Sequence, residues 1–154
     1  MNYSPRKTES FDVKVPESIL TDLRNRLHQT RWPGEIQESG WDYGSNLSYV
    51  KELCEYWETE YNWRQHESRI NSFNNLVTDI ADLNIHFIYE KGKGPSPVPL
   101  VITHGWPSTF AEMLDVIPML TDPVSYGGDA KDSFDVVVPS LPGYGFSGKP
   151  AKKG

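Results

Sequence analysis

The sequence predicts an α/β fold: a helical N-terminal segment followed by the first strands of a sheet. Three observations carry this. Apolar residues recur at helical spacing as far as residue 73. The period then switches to two over Leu83–Tyr89. Two short apolar runs, Leu100–Thr103 and Phe134–Pro139, follow, with a helix-like stretch between them and Gly/Pro-rich loops after them. A hairpin followed by strand, helix and strand is how an α/β sheet opens.

Taken in order, Met1–Ser10 is polar and is expected to be a flexible tail. Val15–Leu27 is the first helix, with Pro16 in its first turn and Ile19, Leu20, Leu23 and Leu27 on one face. Trp32-Pro33-Gly34 breaks it. Leu47–Tyr61 is the second helix, with Val50, Leu53, Cys54, Trp57 and Tyr61 at helical spacing, and Arg64–Phe73 is a shorter third. Leu76–Ile80 and Leu83–Tyr89, joined by Ala81-Asp82, read as a hairpin in which Leu83, Ile85, Phe87 and Tyr89 face inward and Asn84, His86 and Glu90 outward. Leu100–Thr103 is a strand of the kind buried on both faces of a sheet. Thr109–Leu120 is a helix with Thr109 and Glu112 at capping-box spacing. Phe134–Pro139 is the last strand. The domain reading is residues 1–10 tail, 11–75 helical domain, and 76–154 start of the sheet domain.

Composition narrows the partners. The chain's 154 residues suffice for one average domain with a core. A net charge of −6 argues against nucleic acid and against electrostatic attraction to an anionic membrane. No apolar run approaches the roughly 20 residues of a membrane span. The single cysteine, Cys54, allows no internal disulfide, which fits a reducing compartment, and a cytoplasmic protein is expected. No cofactor is called for.

The candidate site lies in two loops. His104-Gly105-Trp106-Pro107 directly follows an apolar strand, where α/β sheets place ligands. A backbone N–H in such a loop serves as half of an oxyanion hole, and the donor needs a turn rather than a particular side chain. Gly105 is expected to permit that turn and Pro107 to fix the next one. The alternative is an ordinary strand-to-helix turn with a packed Trp. Leu141-Pro142-Gly143-Tyr144-Gly145-Phe146-Ser147 follows the next strand. Gly143, Gly145 and Gly148 have dinucleotide-like spacing, but Lys149-Pro150 opens no helix, so a structural loop flanking the site is favoured. The histidines have plain readings. His28 sits at a helix C-terminus, His66 on a short helix without zinc spacing, His86 outward on a strand and His104 in its loop, and no metal site is expected. Cys54 reads as core.

These two loops together resemble those of the epoxide hydrolases of the α/β-hydrolase superfamily. The first half resembles the N-terminal domain of their microsomal-type branch. The matching stretches are Phe11–Pro16, Asp22–Leu27, Thr30–Pro33, Trp41–Gly44, Tyr56-Trp57, Tyr61–Arg64 and Ile85–Ile88, and the resemblance runs from about Phe11 to Gly148. Each short stretch is weak alone, but their order is specific.

The resemblance implies an incomplete α/β-hydrolase sheet and a mechanism. An aspartate attacks an epoxide carbon to give an alkyl-enzyme ester, two lid tyrosines polarise the epoxide oxygen, and a histidine oriented by an acid activates water to release the diol. On this chain, Trp106 supplies one oxyanion-hole N–H and a pocket wall. His104, Gly105, Pro107, Gly143, Tyr144, Gly145 and Phe146 shape the loops, with a cis bond allowed before Pro107. The aromatics Tyr56, Trp57, Tyr61 and Trp63 belong to a domain that clasps the lid. The nucleophile, acid, catalytic histidine and lid tyrosines are expected beyond Gly154. Asp129 in Gly127-Gly128-Asp129 is set aside as nucleophile because no strand precedes it and no helix follows.

The expectation is thus part of an enzyme for small hydrophobic epoxides, inactive alone, that self-associates or needs a complementing C-terminal chain. A non-catalytic binding or regulatory protein reusing this domain, and another α/β-hydrolase such as a dehalogenase or esterase, remain open alternatives.

Overall fold

The computed structural model describes residues 7–152. The chain divides into two units: Lys14–His66, and the described residues up to Val13 together with Glu67 onward.

In the first unit, α1 (Glu17–His28) packs against α2 (Leu47–Thr59). Pro16 stands just before α1, where its missing N–H costs nothing, and its carbonyl accepts from the Ile19 N–H. The Asn46 side chain caps α2 by accepting from the Tyr49 N–H at 3.0 Å. Arg64 binds the unit together, donating to the Val15 carbonyl (2.8 Å) and the Glu17 carboxylate (2.9 Å). Burial here is thin. Leu20 is the one buried residue of α1, and α2 has none. Leu53, Tyr56 and Trp57 line an open apolar cleft of about 560 Å³ with Leu20, Leu23 and Tyr61. Cys54, expected in the core, is half-buried. Helices this short gain stability from tertiary cover more than from their own propensity.

α3 (Trp63–Asn71) carries the chain across the unit boundary. The second unit is a five-stranded sheet of β1 (Thr8–Ser10), β2 (Asn75–Ile80), β3 (Leu83–Glu90), β4 (Val98–Val101) and β5 (Phe134–Pro139). Its order is β1-β2-β3-β5-β4. All pairs are antiparallel except β4 and β5. The β2–β3 hairpin turns on Ala81 (φ 52°) and Asp82 (φ 66°), and two left-handed residues give the turn twist that suits a two-residue hairpin. One face of the sheet forms the core. His86 and Ile88 of β3 and Val136 and Val138 of β5 are fully buried there, with Phe110, Leu114 and Ile117 from the segment after β4.

Several expectations change. Thr8–Ser10 is an edge strand, paired with Thr78, Val77 and Leu76, because backbone pairing at an exposed edge ignores side-chain polarity. Residues 1–6 of the expected tail lie outside the described residues. The helical unit is Lys14–His66 rather than residues 11–75, since Phe11 and Val13 bond to Asn75 and Asn71 beside the sheet.

His86 points into the core, not outward. The covered face of β3 is the one carrying His86 and Ile88, while Ile85, Phe87 and Tyr89 are only half-buried. β4 is not buried on both faces. It is an edge strand, with Val98 55% and Val101 64% exposed, because among the described residues no strand pairs with its far edge. The helix expected over Thr109–Leu120 is split into a 3-10 turn, Phe110–Met113, and α4 (Val116–Thr121). Pro118 forces the break, since it lacks an N–H and its ring would strike the carbonyl four residues back. The capping box does not form either: the Thr109 hydroxyl accepts from the Ala111 N–H (3.3 Å), and the Glu112 N–H goes to the Thr109 carbonyl (3.2 Å).

Candidate functional site

β4 and β5 are adjacent and parallel, so the loops leaving their carboxyl ends lie side by side. One hydrogen bond joins them: the Leu141 N–H donates to His104 Nε2 at 3.1 Å. Nε2 therefore carries no proton, and the Nδ1–H turns to the Gly105 carbonyl at 3.2 Å, an assignment made from the network. His104 is 4% exposed, with its ring edge-on to Tyr144 at 5.2 Å. The turn closes by the Ser108 N–H donating to the Gly105 carbonyl (2.9 Å), and the Trp106-Pro107 peptide is cis. Trp106 is 84% exposed, and its N–H meets no acceptor among the described residues. A buried histidine thus braces a turn whose next N–H is available to a ligand.

The glycines divide. Gly105 is not left-handed and a Cβ there would touch nothing, so the turn does not require it; it leaves the space before the turn open. Gly143 (φ 83°) and Gly145 (φ 49°) are left-handed, and a Cβ on Gly145 would stand 2.6 Å from the Ser140 hydroxyl. Phe146 packs against Phe11, His86 and Phe110, so it anchors its loop in the core rather than facing a ligand.

The sequence reading missed the group beneath these loops. His86 Nε2 lies 3.1 Å from the Asn75 Oδ1, and His86 Nδ1 lies 2.9 Å from the Ser140 hydroxyl. Asn75 is oriented by its own Nδ2, which donates to the Ile70 and Phe73 carbonyls (2.7 and 2.9 Å). His86 is therefore the neutral Nε2–H tautomer, accepting from Ser140. Burial pushes its pKa down to about 4. The only available signal was Ile88, an apolar residue two positions on and so on the same strand face as His86.

The remaining candidates settle into structural contacts. Asp129 caps the 3-10 turn Ala130–Asp132, and the Lys131 N–H and ammonium hold its carboxyl below the usual range. His28 pairs with Glu58 at 3.1 Å, and His66 stacks on Tyr61. Among the described residues, no group of three His, Cys, Asp or Glu side chains is placed to hold a metal ion, and no helix is long and apolar enough to cross a membrane.

The comparisons with known proteins bear on the whole chain. A family profile described as Epoxide hydrolase N terminus matches residues 8–113. The chain belongs to that family. The epoxide hydrolase match takes in the helical unit, the hairpin, β4 and the His104–Pro107 loop. A Stigmatella aurantiaca protein named "Putative epoxide hydrolase" is 46% identical over 144 residues, covering 94% of this chain and 33% of that protein. Epoxide hydrolase 1 of Oryctolagus cuniculus is 38% identical, covering 94% of this chain and 32% of that one. The crystal structure of juvenile hormone epoxide hydrolase from the silkworm Bombyx mori superposes with a TM-score of 0.85 at 30% identity, over 97% of this chain and 36% of that one. The Aspergillus niger epoxide hydrolase superposes with a TM-score of 0.83, also at 30% identity, over 96% of this chain and 38% of that one. The chain thus spans about a third of the length of the curated relatives it matches, and its sheet is part of an α/β-hydrolase sheet.

Proposed function

We propose that this chain supplies one side of an epoxide hydrolase active site. The Trp106 N–H is one donor of the oxyanion hole, and the Trp106 ring is a wall of the pocket that takes a small hydrophobic epoxide. The observation that carries this reading is the unpartnered Trp106 N–H at the carboxyl end of β4, held by a turn that His104 braces from beneath.

In the reaction, a carboxylate opens the epoxide to an alkyl-enzyme ester. Water then adds to the ester carbonyl, and the resulting oxyanion is where a preset donor counts, at roughly 2.7–4 kcal/mol for one N–H. The same loop would suit an ester hydrolase or a dehalogenase; the helical unit and its family match favour epoxides.

Among the described residues, no aspartate stands on a strand-to-helix elbow beside this loop, so the chain alone is expected to be inactive. The exposed edge of β4 and the α1–α2 cleft call for cover, by a complementing polypeptide or by a second copy.

The test is turnover of a small aryl epoxide by the purified chain in isotopically labelled water. No diol above background is expected. Labelled diol from the chain alone would overturn the reading of an incomplete site.

A further inference from the structure

We propose that His86 is a positioning residue for both loops of the candidate site: it holds Ser140, the adjoining Leu141 N–H holds His104, and His104 holds the turn that presents the Trp106 N–H. Every link is a short contact. The Ser140 O–H donates to His86 Nδ1 at 2.9 Å. The Ser140 N–H donates to the His86 carbonyl at 2.8 Å. The Ser147 hydroxyl accepts from the His86 N–H (2.9 Å) and donates to the Ser140 carbonyl (2.6 Å). Ser140 is thereby gripped at its N–H, its carbonyl and its hydroxyl, all from β3 and the loop that returns to it.

The next N–H along the chain, that of Leu141, reaches His104 at 3.1 Å. Two buried histidines, 18 positions apart in the sequence, thus hold adjacent residues of one segment in opposite tautomers: His86 protonated on Nε2, His104 on Nδ1. An apolar residue at 86 would fill the cage of Phe11, Phe110 and Phe146 equally well. It would not offer a donor to Asn75 and an acceptor to Ser140 on opposite sides of one rigid ring. The ring and hydrogen-bond partners of His86, namely these three rings with Asn75, Ser140 and Ser147, carry no charge.

The test is amide hydrogen exchange over residues 102–108 and 141–148 of the whole chain, with ring nitrogen NMR of His104. It needs no turnover, so it is independent of the reaction assigned above. Ser140→Ala deletes one hydroxyl and leaves the aromatic cage intact. It is expected to raise exchange in both segments, by about tenfold at Leu141, and to erode the Nδ1–H signature of His104. His86→Phe is expected to do the same, and His86→Asn, whose Oδ1 stands near the former Nδ1, to restore both. The proposal is overturned if Ser140→Ala loosens only residues 141–148 and leaves His104 and residues 102–108 as in the wild type. It is equally overturned if His86→Asn behaves as His86→Phe. Should His86→Phe fail to fold, Ser140→Ala decides alone.

Discussion

Acid sensitivity between pH 6.5 and 4 is expected to come from His86. In the folded chain the ring is fully buried and uncharged, with a pKa of about 4 against an ordinary value of 6.5. Above pH 6.5 both folded and unfolded chains carry it neutral, and its contribution to stability is fully present. As the pH falls through that value the unfolded chain takes up a proton that the folded chain refuses. Stability then declines by about 1.4 kcal/mol per pH unit until the folded ring titrates near 4, a total of roughly 3 kcal/mol. Carboxylates held below their ordinary range by cationic or N–H partners, such as Glu17, Asp122 and Asp129, act lower, from about 4.5 downward, so above that pH the His86 effect stands apart from theirs. The assay is urea unfolding of the wild type and His86→Asn at matched concentration, from pH 7.5 to 4.5. The variant is less stable at neutral pH, but between pH 6.5 and 4.5 it should lose about 2–3 kcal/mol less than the wild type. Parallel slopes for the two proteins would refute the reasoning.

Three further outcomes follow from named contacts. Gly145→Ala forces an alanine into a left-handed conformation with its Cβ against the Ser140 hydroxyl; thermal melting should show a loss of about 2–4 kcal/mol. Val101→Lys puts a charge on the exposed edge strand, where Val101 is 64% exposed; sedimentation should show less self-association with little change in melting temperature, and unchanged association would exclude β4 as the sticky edge. Leu20→Ala empties the one buried position of α1; a cost of about 2–4 kcal/mol is expected in melts followed by helical circular dichroism, and a cost below about 1 kcal/mol would mean that the helical unit owes its stability to other contacts.

Much of the architecture was legible because it is written in local periodicity. The switch from helical spacing to period two marks the passage from α3 to the hairpin, and Ala81-Asp82 between two alternating runs is enough to call the turn. The Gly-rich stretch after β5 is legible as a turn-forming loop, and Gly143 and Gly145 in it have left-handed backbone. Pro118 marks a break inside Thr109–Leu120, where apolar spacing alone predicts one helix. Polarity misled at His86. The rule that polar residues face outward fails when the partners of the polar group, Asn75, Ser140 and Ser147, lie 11, 54 and 61 positions away. It also hid the edge position of β4, since an apolar run looks the same whether its neighbour strand is present or missing.

The amino-acid order by itself determined the first three helices, the hairpin, the two loops and the family, because each depends on neighbours within a few residues or on a string of short motifs in sequence. Tertiary structure alone decided which face of β3 is covered, the opposite tautomers of His86 and His104, and the Leu141 N–H that ties the two loops. Those depend on hydrogen bonds closed across 37 to 61 positions of chain, whose partners become neighbours only when β5 pairs with both β3 and β4.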